Sequence, residues 1–434
     1  MSRSAYKFDV TASFILNNES TVINPNHIKY LIIESSYESI YMPVIYMSVS
    51  VTKELYQKIV DNEKLGKIYL KVDRYNEYSQ NKLFKKYIEG QFTYITSINN
   101  PNYVEDLSSS NDKDDMYMLI NLALMDMMII NKEKKAFNGV YKNIDQGTLI
   151  LKALQDVESV ISPLRYNPHY DTVMIPAMSS IHKYLYYLYD LCPFYDTNYI
   201  FFMDFDRTYL LDYSGKYCIS EDGQKENVFL NIYSVLDEQS YFEGMEETDT
   251  GYTININPAY SNFGLNKHTD KIVNQLVWID DEGDIQKVDV DVNSSPDSAV
   301  KQSFIRGEHA KLYMNIINSS AQELEVMKES LDSSVITPNK SYTINNDKDH
   351  SFDGSYTLIY KKEVIRNVSG SFNNSVSLGL RKVGTILPLK DNVEARAVYE
   401  NASAVYRRKN KIPKQDTNSD LILTNSGEYK PKNK

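Results

Sequence analysis

Tyr6, Phe8, Val10, Ala12, Phe14 and Leu16 alternate with Lys7, Asp9, Thr11, Ser13, Ile15 and Asn17. This period of two predicts a strand with one face on a core. Runs rich in Tyr, Ile and Val at 28–34, 43–51, 68–72 and 84–98, separated by polar turns, predict further strands. Roughly the first hundred residues thus read as a small antiparallel barrel or sandwich. Asn99-Asn100-Pro101-Asn102 and the polar stretch Ser108 to Asp115 break the pattern and mark a boundary. The next segment, MYMLINLALMDMMII from Met116 to Ile130, fits either a helix or a buried strand. The Asn138-Gly139 turn signal behind it favours strand and hairpin, and its methionines read as core filler.

Two helices follow. Asp145 is placed to cap one whose apolar stripe is Ile150, Ala153, Leu154, Val157 and Ile161, with Pro163 as its stop. The second starts near Ser179, carries Ile181, Leu185, Leu188 and Leu191 on one face and closes at Pro193. Tyr184, Tyr186, Tyr187 and Tyr189 surround that stripe, so the helix is expected to pack on more than one surface. Strand signals return at 199–203, 208–212, 228–235, 253–256, 276–279 and 285–292, punctuated by Asp222-Gly223 and Glu282-Gly283, which predicts a second β-rich domain. Met314 to Lys328 reads as a helix, and Tyr356 to Val364 and Ala395 to Arg407 as later strands. Beyond Arg407 the chain is polar and lysine-rich, so the tail is expected to be mobile until a partner binds it.

Composition narrows the function classes. With 434 residues, the chain is long enough for about two to four domains. It is 42% hydrophobic and 24% charged, with a mean hydropathy of −0.45 and 36 tyrosines, a residue suited to half-buried sheets and interfaces. The formal net charge of −11 argues against stable nucleic-acid binding, which works by neutralising phosphates. Cys192 and Cys218 are too few for a disulfide framework and are expected to be free thiols in a reducing compartment. The N-terminal MSRSAYKFDVTASFIL lacks the apolar region of a signal peptide, and no run approaches the roughly 18 apolar residues of a membrane span. A cytosolic product without membrane insertion is expected. Sequons such as Asn18-Glu19-Ser20 and Asn367-Val368-Ser369 therefore carry no information.

The sharpest chemical signal is IFFMDFDRTYLL from Ile200 to Leu211. An apolar strand that delivers Asp-x-Asp-x-Thr resembles the motif of haloacid-dehalogenase-like phosphatases. There, Asp204 would attack phosphorus, Asp206 would protonate the leaving oxygen and magnesium would neutralise the phosphoryl charge. A sugar-nucleotide transferase would use the same pair to hold a metal. Asp280-Asp281-Glu282-Gly283-Asp284 could serve as further metal ligands or as a calcium loop, but it lacks the alternating ligands of an EF-hand and reads as a solvated turn. Against this, strand follows strand after Thr208 where such enzymes alternate strands and helices. Asp-x-Asp also recurs at Asp112, Asp289 and Asp347 in this acidic chain. Asp-Phe-Asp-Arg between two apolar strands is a good hairpin turn, and that reading is preferred. His27, His169, His182, His268, His309 and His350 lack the spacing of a helical zinc site, and no phosphate-loop, nucleophile-elbow or dinucleotide fingerprint occurs. Arg407-Arg408-Lys409 with Lys411 and Lys414 reads as a soluble tail or a contact for an acidic partner.

The order of parts resembles the central baseplate or tail-tip hub of contractile-tailed phages, related to the VgrG-like hubs of secretion systems. Tyr41-Met42-Pro43-Val44-Ile45-Tyr46-Met47 is similar to the Met-Pro entry to a strand of that family's first barrel. Met174-Ile175-Pro176-Ala177, the helix after Ser179, Pro193-Phe194-Tyr195 and Phe201 to Leu211 resemble its central stretch, whose residues are structural in that family. The resemblance implies a mainly β fold with an α/β insertion: two tube-like antiparallel β-barrel domains plus a C-terminal extension. The expected division is a first barrel over 1–110, the insertion over 111–215, a second barrel over 216–345 and the extension over 346–434, with a mobile tail from about 408. It also implies a homotrimer that joins the sixfold tail tube to the threefold central spike or tail lysin, meets other baseplate proteins and leaves a channel for transient passage of DNA. Such a protein is assembled in the host cytoplasm, resides in the virion tail baseplate, and needs no catalytic residue, metal or cofactor. The alternatives are a magnesium-dependent phosphohydrolase and a tail-fibre or carbohydrate-binding module that presents its tyrosines to glycans.

Overall fold

The computed structural model describes residues 6–76, 84–96, 103–104, 117–155, 158–164, 167–195, 199–212, 227–232, 245–248, 251–256, 262–264, 275–279, 285–289, 301–302, 323–346, 353–382, 421–423 and 429–431. The expectations for Cys218, Asp280 to Asp284, Ala395 to Arg407, the basic tail and three of the histidines, His268, His309 and His350, lie outside these residues.

The N-terminal part contains β1 (Tyr6–Leu16), β2 (Glu19–Ile23), β3 (Ile28–Ser36), β4 (Val44–Thr52), α1 (Lys53–Asp61), β5 (Lys67–Asn76), β6 (Lys85–Thr96) and β7 (Tyr103–Val104). Next come β8 (Tyr117–Asp126), α2 (Met127–Glu133), β9 (Phe137–Asp145), α3 (Gln146–Leu154), β10 (Ser159–Ile161), β11 (His169–Met178), α4 (Ile181–Leu191), β12 (Tyr199–Met203) and β13 (Thr208–Asp212). The later strands are β14 (Asn227–Ile232), β15 (Met245–Thr248), β16 (Gly251–Ile256), β17 (Asn262–Gly264), β18 (Gln275–Ile279), β19 (Ile285–Asp289), β20 (Lys301–Gln302), β21 (Glu323–Glu329), β22 (Ser341–Asn346), β23 (Gly354–Val368), β24 (Ser371–Lys382), β25 (Leu421–Leu423) and β26 (Tyr429–Pro431). The fold is mainly β with an α/β insertion, as the sequence predicts.

Eight strands close into an antiparallel barrel in the order β3, β4, β8, β6, β5, β1, β24, β23 and back to β3. Closure removes every free edge among these eight. Phe8, Val10, Ala12 and Phe14 of β1 point inward, as their alternation predicts, and join Leu31, Ile45, Val49, Leu70, Phe92 and Leu122 in the barrel core. Two closing strands come from the far end of the chain. The segment expected in a C-terminal extension therefore supplies the staves beside β1 and β3. Likewise β8, expected to open the insertion, pairs with β4 and β6 and belongs to the barrel wall. Only after Asp126, which caps α2 by accepting from Met128 N at 2.6 Å, does the Met116 to Ile130 run turn helical.

Two hairpin turns fix strand register, one at the barrel's attached strand β2 and one within the barrel wall. Asn17 and Asn18, with φ of 50° and 69°, join β1 to β2. Ser369 and Gly370, at 53° and 84°, join β23 to β24. Positive φ at both central positions is the turn whose twist matches that of the strands. The Asn367 side chain holds the second turn by accepting from Gly370 N at 2.9 Å and donating to Ile28 O at 3.1 Å.

At 15 and 12 residues, β23 and β24 are longer than the barrel needs. Their far halves carry the same sheet on into a second body, in which β22, β14, β16 and β15 continue from β23 and β21 and β17 from β24. This second body departs from a purely antiparallel pattern at β14, which runs parallel to both β16 and β22. Glu323 to Glu329, expected at the end of a helix, is strand β21 and pairs with β24; alternating Leu324 and Val326 enter the second core. The third core belongs to the insertion, where α3, α4 and the β9–β11 ribbon pack together. Asp145 caps α3 and Ser180 caps α4, yet α3 stops at Leu154. Ile161, expected on its stripe, lies instead in β10, parallel to β13, and Val157 lies outside the described residues; a β-branched residue gains more from that pairing than from a further helical turn. The Asn138-Gly139 signal makes no turn, because Gly139 lies within β9 opposite Ile175.

If β23 completes the barrel core, truncating its inward Ile365, which is fully buried, should cost about 2–5 kcal/mol in urea unfolding. Truncating Val368 of the same strand, 55% exposed, should cost under about 0.5 kcal/mol. Equal costs would place β23 outside the core.

Candidate functional site

The expected hairpin is present. β12 and β13 pair antiparallel with Met203 opposite Thr208, and Asp204 N donates to Arg207 O at 2.7 Å across the turn. Both faces of this hairpin are buried. Ile200, Phe202, Tyr209 and Leu211 enter the second core with Tyr37, while Phe201, Met203 and Leu210 enter the insertion core. Phe205, at the tip, packs on the insertion core and also reaches the barrel core, 6.3 Å from Phe92 between ring centroids. One short hairpin thus touches all three cores, which accounts for the apolar density of IFFM and TYLL.

The two aspartates have different surroundings. Asp206 is exposed and pairs with Arg207 at 2.9 Å. Asp204 is partly buried, and its Oδ1 accepts from Phe205 N at 2.9 Å. Burial pushes the Asp204 carboxyl above the usual aspartate value, Asp206 adds to the rise, and the Lys361 ammonium opposes it.

Lys361 leads to a feature that sequence reasoning missed. Along the inward faces of β23 and β24, Ile365 and Phe372 belong to the barrel core, whereas Tyr356, Leu358, Val376, Leu378 and Leu380 belong to the second core. Between them lies a polar layer of Lys361, Glu363 and Asn374, all buried. Glu363 is fully buried and accepts from Tyr87 Oη at 2.5 Å, Ser333 Oγ at 2.7 Å and Asn374 Nδ2 at 2.6 Å. Lys361 Nζ donates to Ile336 O at 3.2 Å, and Asn374 Nδ2 also donates to Leu331 O at 2.7 Å. Arg74 of β5 pairs with Asp332, which caps the short turn at Ser333–Val335. Burial, and then the Glu363 charge, hold the Tyr87 hydroxyl well above the usual tyrosine range. The layer therefore bolts the 330–340 loop of the second body to β5 and β6 of the barrel. The visible signal was Lys361-Lys362-Glu363 inside an otherwise apolar strand, where alternation puts Lys361 and Glu363 on the same face as Ile365.

The remaining expected site residues do not converge. His27 stacks edge-on to Tyr117, His169 bonds Asn143 at 2.9 Å, and His182 lies beside Tyr41 and Phe201. Cys192 is buried. Among the described residues, no three His, Cys, Asp or Glu side chains gather as metal ligands, and no helix is long and apolar enough to cross a membrane.

No family model matches the sequence, and no curated protein matches it. Solved structures do match. The 43 kDa tail protein of prophage MuSo2 from Shewanella oneidensis aligns with a TM-score of 0.50 at 8% identity, over 88% of this chain and 99% of that one. A tail protein from Neisseria meningitidis MC58 aligns at 0.48 and 8% identity, over 87% and 98%. The E. coli c3393 protein, a component of the type VI secretion system, aligns at 0.37 and 8% identity, over 82% and 73%. The first of these likenesses shows a shared fold: this chain has the fold of a phage tail protein.

Asp204→Asn keeps an acceptor for Phe205 N and removes the charge. In the native protein this carboxyl titrates above 3.8, its ordinary value, so between the two values the unfolded chain binds fewer protons than the folded one. Wild-type stability should therefore fall as pH rises from 3.8 through the folded value. Thermal melts should give equal midpoints for wild type and variant near about pH 3, and a higher midpoint for the variant at about pH 7. A variant less stable at neutral pH would show that the ionised carboxylate is favoured in place.

Proposed function

We propose that the chain is a structural component of a phage tail: a trimeric baseplate hub that joins the sixfold tail tube to the threefold central spike and leaves a channel for DNA. The observation that carries this reading is the closed eight-stranded barrel that runs through one long hairpin into a second β-rich body, in a chain whose fold matches a tail protein over 99% of that protein's length. Two β bodies per chain give six in a trimer, the arithmetic that would let a threefold ring meet a sixfold tube. In this reading the barrel and the second body are the tube-forming units, and the insertion from α2 to β13 stands beside them.

Its partners are two further copies of itself, the tail tube protein, the central spike or tail lysin and other baseplate proteins. It is assembled in the host cytoplasm and resides in the virion tail. The acidic chain suits a channel for DNA, because repelled phosphates do not adhere. Catalysis has no part in the reading: the Asp-x-Asp pair bends an antiparallel hairpin, and the groups around Asp204 are Lys361, Asp206, Arg207 and the Phe205 backbone N–H.

Sedimentation velocity of the purified chain, alone and mixed with its spike protein, should give a trimer in at least one of the two conditions. A strict monomer in both would overturn the proposal.

A further inference from the structure

One wall of the closed barrel is apolar on its outside. Cross-strand register places Val364 of β23 opposite Ile32 of β3, Ile32 opposite Tyr46 of β4, Tyr46 opposite Ala123 of β8 and Ala123 opposite Ile95 of β6. Their sequence neighbours Ile365, Ile33, Ile45, Leu124 and Tyr94 fill the barrel core, so these five face outward. Tyr46 is 41% exposed and Ile95 54%. The five form an uncharged girdle across five adjacent strands, about 19 Å between the outer two. Beside it on one side lie Val44, Met125 and the Lys362–Glu34 ion pair; on the other lie exposed Arg366, Tyr30, buried Ser48 and Asn121.

The barrel wall is asymmetric. On the β1–β5–β6 side, the Lys71–Asp73 pair, Asp9 and the Lys86–Glu89 pair cover the outside with charge. A lipid surround would require an apolar band all the way round, which that side lacks. Nucleic acid is repelled by a chain of net charge −11. Nor can another strand cover the girdle by edge pairing, because the eight-stranded ring is closed. What covers it must pack side chain on side chain.

We propose that this girdle is the surface through which one copy of the chain packs against the next. The inference rests on the trimeric reading above and assigns its contact face. Copies arranged side by side about a common axis meet at one level along their strands, and the girdle runs across the strands at one level. Acidic copies repel one another, which favours a contact made through an uncharged face. The strip offers on the order of a few hundred Å², the size at which exposed apolar patches mark contact sites. A standard interface covers about 800 Å² per partner, so the girdle is its centre, with Tyr46 as the aromatic anchor. The Lys362–Glu34 pair forms part of the polar rim.

The test compares full-length wild type with Tyr46→Glu, Ile95→Glu and the double variant by sedimentation velocity, with Val22→Glu as control. Val22 is 77% exposed on β2, away from the girdle. The double variant should dissociate the trimer, raising its dissociation constant at least about a hundredfold, equivalent to roughly 2.7 kcal/mol, while Val22→Glu leaves it intact. Circular dichroism checks that the barrel stays folded. Should the glutamates unfold it, Tyr46→Ala and Ile95→Ala, which add no charge, are read in the same way. A trimer unaffected by the girdle variants would overturn the assignment of the face and leave the hub reading standing. A wild type that never associates would overturn both.

Discussion

Glu363 is a fully buried carboxylate held by three donors from three different elements, and much of the molecule's geometry depends on it. A buried carboxylate is tolerated only when its lone pairs are filled, and removing its partners would leave several kcal/mol of unpaired polarity. Tyr87 comes from the barrel wall, Ser333 from the loop of the second body, and Asn374 from the other arm of the same hairpin. Satisfying one carboxylate therefore fixes the barrel against the second body. An apolar layer in its place would allow many packings of similar energy. Directional hydrogen bonds allow few.

The β23–β24 hairpin makes this possible, because its two strands serve two cores in succession with the polar layer between them. The β12–β13 hairpin plays the corresponding part for the insertion. Buried on both faces, it wedges between the second core and the insertion core and presses Phe205 toward Phe92. Asp204 stands where these hairpins approach each other, close enough to Lys361 to feel its charge. The residues that look most like chemistry in the sequence thus serve to join bodies.

Local features were legible in the sequence. The alternation of β1, the cap and stripe of α4 and the strand-turn-strand of IFFMDFDRTYLL all follow from periodicity and turn chemistry, because their determinants lie within a dozen or so residues. Closure of the barrel was not legible. β24 meets β1 at Lys7 and Asn373, and nothing in either strand names a partner so far along the chain. The same holds for Ile161, whose apolar spacing extends the α3 stripe until β13 offers a parallel edge. Lys361 and Glu363 were present as inward-facing charges within β23, a signal with physical content that composition alone averages away. The turn at Ser369-Gly370, between two alternating runs, was a readable hairpin sign.

In the proposed assembly this chain acts by shape, as three copies around an open axis. Electron cryomicroscopy of the purified assembly tests it most directly. Its maps should show a threefold ring of β bodies enclosing an unobstructed channel, with the β12–β13 tip packed inside each subunit. Particles without a threefold axis, or a filled centre, would contradict it.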